Sequence, residues 1–324
     1  MANRRLLFVE TTGDLLDGLP FMDGRRPLSA SGRARLVHLD DAAECLHALE
    51  CSGEPDRLIA HVGFCGSTLL ARTLDATSLY QTYKEPQSII DASAAKSVSH
   101  PLARDRDDWG GLMAVLRSQF RKSFSNRTAV LKPSNWPLNV LPDLVNSNTR
   151  AVFLTADPYA YLVAILRGGD ERVRFMLQFV RNLGVDFPRL RESVHAIERE
   201  RGITPARLVL KVSLLALDVQ EQMFARVKRG MAPDRFLSLT TEELIKQPER
   251  SLSAVSATFA ARLDGAKQSD AVRAAFAQSA KQPWMGFDAQ AEAMANGRVR
   301  ARFQRDIEHA LAWRAANRID LLAG

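Results

Sequence analysis

The alternation of apolar and polar positions divides the chain near residue 56. Before that point Gly13, Gly18, Pro20, Gly24 and Pro27 interrupt the pattern, and one helical stretch is expected, near Asp40 to Leu49. Residues 1–56 therefore read as an N-terminal extension. The pattern then sharpens. Leu58-Ile59-Ala60-His61-Val62 is a short apolar run ended by Gly63, which marks a strand buried on both faces. Ser67 to Leu74 is periodic for a helix, Leu79 to Tyr83 is rich in strand formers, and Trp109 to Phe124 is helical again. Ala129 to Leu131 and Ala151 to Leu154 are further strand-like runs, the second followed by Asp157-Pro158 and a helix through Leu166. From Asp170 to about Arg229 the chain is expected to be helical, with breaks at Pro188 and Pro205, long enough to cap a sheet. Phe236 to Leu239 reads as one more strand, and Thr240 to Lys246, Glu249 to Leu263 and Val299 to Ala316 as helices. Thr240 with Glu243 three residues on fits a capping box, with Thr241 as the alternative cap. Strands alternating with helices require right-handed crossovers, which predicts an α/β fold with a mostly parallel central sheet and a helical insertion at about 170–230.

Composition narrows the class. The 324 residues suffice for one large α/β domain with a helical elaboration, or for two ordinary domains, and the 46% apolar content supplies a sizeable core. A charged fraction of 25% excludes a disordered tail protein, and 7% aromatic residues argue against an all-β one. Lys plus Arg number 44 against 37 Asp plus Glu, a formal charge of +7 that suits an anionic ligand and equally a merely basic enzyme. Cys45, Cys51 and Cys65 form neither a disulfide framework nor a metal spacing, and the histidines have no ligand spacing, so no metal is expected. No apolar stretch approaches the ~20 residues that span a bilayer. Arg4-Arg5 precede Leu6 to Val9, but Glu10 ends that run after four residues, too few for a signal peptide. The expectation is a reduced, soluble, cytoplasmic protein without a membrane partner. Lys and Arg are dispersed without interleaved aromatics, so no nucleic-acid partner is expected either.

The most informative segment is Gly63-Phe64-Cys65-Gly66-Ser67-Thr68, between a strand and a helix. Glycines let the backbone approach an anion and take positive φ. Successive amides at a helix start form an anion cradle favoured by the helix dipole, and Ser67 and Thr68 add hydroxyls. The segment lacks the Gly-Lys-Ser/Thr of a Walker A loop, and the first cation on the following helix is Arg72. An ordinary capped strand-to-helix turn would use the same residue types.

This turn resembles the 5′-phosphosulfate loop of the sulfotransferase family, commonly Pro-Arg/Lys-Ser-Gly-Thr-Thr, with Gly66-Ser67-Thr68 standing on its Gly-Thr-Thr. Three further segments agree in order. Lys84-Glu85-Pro86 is similar to a bacterial Arg-Glu-Pro. Phe153 to Pro158 resembles the strand and turn around Arg-Asp/Asn-Pro. Leu237 to Pro248 resembles the late strand and Tyr-Glu-Asp-Leu-x-x-x-Pro helix start. The resemblance covers about Arg57 to Phe259. It implies a P-loop α/β fold, a three-layer sandwich over residues 57–324. It also implies transfer of a sulfuryl group from 3′-phosphoadenosine 5′-phosphosulfate, as co-substrate, to a hydroxyl or amine of a small-molecule acceptor. Two departures stand out. The family's loop cation falls on Phe64, and its two 3′-phosphate ligands fall on Ala156 and Ala164, where losing a buried charge partner typically costs about 2–5 kcal/mol. Arg167 and Arg172 are close in sequence and available to compensate. A different donor, or a catalytically degenerate binding protein on this fold, also fits these losses. A phosphotransferase or nucleotide-hydrolysing enzyme is the remaining alternative, with Asp157 as its best Walker B carboxylate.

The other candidates each admit two readings. Lys132 ends a predicted strand, where open α/β sheets bind ligands, and can neutralise the phosphosulfate or stand solvated. Glu85, one strand over, can accept the acceptor's proton or pair with Lys84 at the surface. His61 is better read as a core histidine than a catalytic one. Cys65 is either a thiol activated by the helix start or a small residue the turn needs. Gly63 to Thr68 with Arg72 form the expected donor site, and the 170–229 helices the acceptor pocket. Arg298, Arg300, Arg302 and Arg305 are the strongest basic cluster, either closing over the 3′-phosphate or forming a solvated helix face. Gly286 and Gly297 are expected to hinge a loop there, with Trp284 and Phe287 packing on an adenine, a substrate or the core.

Overall fold

Five short runs pair side by side in one parallel sheet. They are β3 (Arg57–His61), β4 (Tyr80–Lys84), β5 (Thr128–Lys132), β6 (Arg150–Thr155) and β7 (Phe236–Thr240), ordered β4-β5-β3-β6-β7. The computed structural model describes residues 4–25, 27–29, 31–48, 54–124, 126–261, 265–278 and 288–323. β3 and β4 are buried at every position, as expected of strands covered on both faces. The chain reverses its direction of sheet growth after β5, which places a switch point between β3 and its neighbours, where open α/β sheets bind ligands.

Helices cover both faces. On one, α3 (Ser67–Ala76) packs on β4, α12 (Pro248–Thr258) on β6 and β7, and α13 (Gly265–Phe276) against α3. On the other, Phe120 of α6 (Arg106–Arg121) meets Tyr83, and Phe224 of α10 (Pro205–Arg229) meets Phe153. The expected helical insertion is present as α8 (Gly169–Asp186), α9 (Pro188–Glu198) and α10. Pro188 and Pro205 each begin a helix, where the missing N–H costs nothing. The observed architecture is a three-layer α/β sandwich, as the apolar pattern and the resemblance implied.

Several elements depart from the reading of the sequence. The N-terminal extension carries an antiparallel pair, β1 (Arg5–Val9) and β2 (Ala34–His38), with a short helix α1 (Gly13–Gly18) between them and α2 (Leu39–Ala48) after them. It is bound to the sheet, since Met22 N–H donates to the Lys84 carbonyl and Gln87 N–H to that of Met22. α4 (Gln87–Ser97) and α5 (Pro101–Arg104) fill the stretch before α6, and α7 (Pro158–Arg167) and α11 (Thr241–Lys246) complete the crossovers. α12 stops at Thr258, before the expected Leu263, because Ala260 takes a left-handed φ of 55°. α14 (Ala289–Ala316) begins ten residues earlier than expected. Gly297 is no hinge but lies inside this helix, which Asp288 caps by accepting from Ala291 N–H. Gly286, Trp284 and Phe287 lie outside the described residues. Thr240, not Thr241, caps α11, in a complete capping box with Glu243. Among the described residues no helix is long and apolar enough to cross a membrane.

Lys84 and Lys132 are opposite each other in the β4–β5 register, on one face, and both are buried. Like charges so placed repel, and each is met by its own carboxylate. Lys84 Nζ lies 2.9 Å from Asp75 Oδ2 of α3, whose other oxygen accepts from Thr82 N–H at 2.8 Å. Burial keeps the Asp75 pKa above the usual carboxylate range despite Lys84 and Thr82. Lys84→Met leaves that carboxylate without its cation, and a loss of about 3–5 kcal/mol in urea unfolding is expected at neutral pH. The Asp75 pKa rises further in the variant, so protonation relieves the cost and the deficit narrows as pH falls. A deficit constant between pH 7 and 5 would contradict this account.

Candidate functional site

β3 delivers the chain to Gly63 at the carboxyl edge of the sheet. Gly66 turns it into α3 with a left-handed φ of 80° and, as a cap without a side chain, offers no capping oxygen of its own to the amides of the first helical turn. The first helical bond runs from Leu70 N–H to the Gly66 carbonyl. A Cβ at Gly63 would lie 3.2 Å from Asn135 Nδ2, close enough that the asparagine side chain would have to give by a few tenths of an ångström. Phe64 also takes a left-handed φ, 58°, a conformation that costs a non-glycine residue about 1–2 kcal/mol and that persists where the surroundings impose it. Thr241, at the first position of α11, explains part of that imposition. Its hydroxyl lies 2.9 Å from the Cys65 carbonyl and 3.0 Å from that of Thr155, fastening the turn to the end of β6.

The Cys65 side chain faces the core and its S–H donates to the Val62 carbonyl. Burial pushes the thiol up to about 11, outweighing the helix-start and Lys132 contributions, so the activated-thiol reading is corrected. Ser67 and Thr68 are buried at the helix start.

Beside the turn, Lys132 Nζ lies 2.7 Å from Glu85 Oε1, with the Lys132 side chain fully enclosed and that of Glu85 15% exposed. Glu85 N–H donates to the Lys132 carbonyl, and its left-handed φ of 57° folds the side chain back over the β5 end. Burial raises the Glu85 pKa, but Lys132 foremost, then His61 and Arg25, bring it below the usual range, so it is ionised at neutral pH. The strand-end pair is therefore a buried one, and the solvated readings of Lys132 and of a surface Lys84–Glu85 pair are both corrected. Lys84 points to Asp75 instead.

His61 is buried, with Nδ1 2.9 Å from the Val62 carbonyl and Nε2 3.0 Å from that of Pro133. Burial first, then Lys132, lowers its pKa to about 4, so the ring is neutral and donates to one of those two carbonyls. It is a core histidine, as read. Asn135 follows on the same edge, 3.4 Å from Gln220 Oε1 of α10.

Arg25 was invisible in the sequence. The extension brings its guanidinium to 4.0 Å from Glu85 Oε2, held by Asp23 at 2.8 Å and over the Phe21 ring at 4.1 Å. Nothing in a Gly- and Pro-broken segment signals a contact sixty residues away. Around Phe64, Tyr161 and Phe175 stand at 6.1 and 6.0 Å between centroids, and Trp136 joins Phe175 and Phe179. An aromatic wall thus links the turn to the helical insertion.

The remaining candidates are spread. Gly63 to Thr68, Glu85 and Lys132 gather at one edge. Arg72 is turned along α3 toward Gln278 Oε1 of the α13 end, at 2.5 Å. Arg167 joins Glu292 and Asn296 of α14. Ala156 is buried. Asp157 caps α7, accepting from Ala160 N–H at 2.9 Å. Arg298, Arg300, Arg302 and Arg305 are exposed on α14, Arg300 lying over the Tyr159 ring at 5.6 Å. Among the described residues no cluster of His, Cys, Asp and Glu could hold a metal ion.

No family model and no curated protein matches this chain in sequence. The solved structures to which it is similar include sulfotransferases. Retinol dehydratase, in complex with androsterone and the inactive cofactor PAP, is 12% identical over 91% of this chain and 90% of its own, at a TM-score of 0.44. A sulfotransferase of Mycobacterium avium is 11% identical over 88% and 85%, at 0.42. The sulfotransferase domain of the curacin biosynthetic pathway is 12% identical over 73% and 82%, at 0.40. The sheet order itself establishes the fold, and the site is argued from its own residues.

The Thr241 contact gives a test of how the turn is held. Thr241→Val keeps the shape but removes the hydroxyl donor from two carbonyls, with an expected cost of about 1–3 kcal/mol in thermal or urea unfolding. Thr240→Val should act on α11 alone, at about 1 kcal/mol. Equal stability of Thr241→Val and the parent would show that the turn does not depend on α11.

Proposed function

We propose that this chain is a sulfotransferase-like enzyme, moving a sulfuryl group from 3′-phosphoadenosine 5′-phosphosulfate to a hydroxyl or amine of a small-molecule acceptor. The observation that carries the reading is the buried Lys132–Glu85 pair set beside a glycine-capped helix start. The amides of the turn suit the oxyanions of a phosphosulfate, and the turn lacks the Gly-Lys-Ser/Thr of a metal-bridged triphosphate site. Asp157, the carboxylate a phosphotransferase would need, is spent on capping α7.

The pair suits the chemistry as a unit. The acceptor oxygen or nitrogen bonds to sulfur while the bond from sulfur to the bridging oxygen breaks. Glu85 takes the acceptor's proton, and Lys132 meets the negative charge that gathers on the departing phosphate oxygen. In the resting pair Lys132 holds Glu85 ionised but weakly basic. As the ammonium turns to the leaving oxygen, Glu85 loses its counter-charge and becomes the stronger base at the moment the proton must move. The aromatic wall of Phe64, Trp136, Phe175 and Phe179 lies on the insertion side and favours an acceptor with an apolar body.

Calorimetric titration with adenosine 3′,5′-bisphosphate tests the donor. Binding is expected, and none at high micromolar nucleotide defeats the proposal. Glu85→Gln should lower turnover about 10²–10⁴-fold, the range of a lost general base, while leaving nucleotide binding within a few-fold of the parent. The parent rate should hold on the acid side until pH falls below the usual carboxylate range, because Lys132 keeps the folded-state Glu85 pKa low. An acid limb centred well above that range would assign the base elsewhere. Full activity of Glu85→Gln would leave a binding role only.

A further inference from the structure

The Gly63–Thr68 turn offers amides and hydroxyls but no side-chain cation of its own. Lys132 rests on Glu85 and, on the reading above, serves the leaving oxygen rather than the turn, and Arg72 reaches Gln278 at the α13 end. One guanidinium from another element lies against the side chain of a turn residue, Phe64. Arg172, in the first turn of α8, stands 5.1 Å from the centroid of the Phe64 ring, in the range of a cation–π contact. One of its N–H groups donates to the Ala164 carbonyl near the end of α7. Among the described residues it makes no ion pair with a carboxylate. A half-enclosed cation met only by a carbonyl and a ring face is under-compensated. Its pKa is lowered by burial first and then by Arg167, against the weaker pull of Glu292 and Glu171.

Its placement is built in. Gly168, between α7 and α8, has ordinary angles (φ −77°, ψ 0°), so its glycine is not required by the backbone. A Cβ at Gly168 would lie 1.9 Å from Arg172 Cδ and 2.4 Å from Nε, so any larger residue there makes the arginine side chain move. The arginine stem lies on the bare backbone of that residue. Phe64 in turn presents its ring because the turn holds it at a positive φ.

We propose that Arg172 is the cation of the Gly63–Thr68 turn, delivered from the helical insertion and seated on Phe64, and that it binds the anionic group held by the turn amides. This rests on the reading of the turn as the cradle for the 5′-phosphosulfate. A guanidinium has five N–H donors, and four remain for an oxyanion while one holds the Ala164 carbonyl. The ring that replaces a charge at position 64 then serves as the platform for the charge that substitutes for it.

Calorimetry on the full chain, with adenosine 3′,5′-bisphosphate and separately with adenosine 5′-monophosphate, tests this. Arg172→Gln should weaken both nucleotides by at least about tenfold, the loss of a charge-assisted hydrogen bond, and Arg172→Lys should lose less. Gly168→Ala keeps the guanidinium but displaces it, and should weaken both nucleotides as well. If Arg172→Gln fails to fold, Gly168→Ala decides. Parent-like binding of both nucleotides by Gly168→Ala or by Arg172→Gln overturns the assignment and leaves the donor reading intact. A loss confined to the 3′,5′-bisphosphate also overturns it, because the arginine then serves the 3′-phosphate. If the parent binds neither nucleotide, the cradle reading falls and this assignment falls with it.

Discussion

Two ammonium groups stand opposite each other at the carboxyl ends of neighbouring strands, both out of water, and much of the architecture around the site follows from that. Taking one unpaired cation into a core costs several kcal/mol, and two in adjacent register add their repulsion. The fold meets them with separate acids from separate elements. Asp75 comes from the end of α3, which fixes the helix against β4 through both the Lys84 ion pair and the Thr82 hydrogen bonds. Glu85 comes from the residue directly after β4, and it reaches Lys132 because its backbone takes a left-handed turn and closes on the β5 carbonyl. The helix that carries the glycine turn and the carboxylate that faces it are thus positioned by the same pair of lysines. His61, on the same sheet face in the next strand, is left neutral by burial and by the nearest of those lysines.

The strands were legible because burial on both faces writes a continuous apolar run. Leu58 to Val62 and Ala151 to Leu154 need no partner information to be recognised. β1 and β2 were not: the apolar run Leu6 to Val9 of β1 was weighed only as a targeting segment, and both strands expose much of their surface, with Leu7 and Leu36 facing outward. Gly297 misled for a related reason. Glycine signals a break only when nothing else holds the helix. Here a cap at Asp288 and the anchoring of Glu292 and Asn296 by Arg167 carry α14 through it.

The site was legible in its local parts and illegible in its pairings. Gly63 to Thr68 showed in sequence as a turn able to hold an anion, since glycine and hydroxyl types there have a local cause. Lys132 and Glu85 showed as strand-end residues, and sequence offered a solvated role for each as readily as a shared one. Only the β4–β5 register brings them together. Arg25 had no local signal, and Arg172 showed only as a cation near Ala164 in sequence, weighed for the 3′-phosphate and not for the turn. Each acts at the edge of the sheet through a fold-level contact, one through the Met22 backbone link to β4 and the other through the bare backbone of Gly168.

Moving a cation from a turn to a helix of the insertion changes what the anion site depends on. A lysine within the loop is placed by the loop alone. Arg172 is placed only when α8 is docked on α7 closely enough to lay its stem across Gly168 and its guanidinium over Phe64. α7 is tied in turn to α14 through Arg167, and the aromatic wall joins α8 to the strand-end loop through Trp136. The position of Arg172 and the packing of α8 on α7 are therefore set by one arrangement. On the proposed assignment, an anion bound by Arg172 favours this packing of α8 on α7. Coupling of this kind requires no movement of the sheet, because the strand-end lysines and their carboxylates are fixed independently of the insertion.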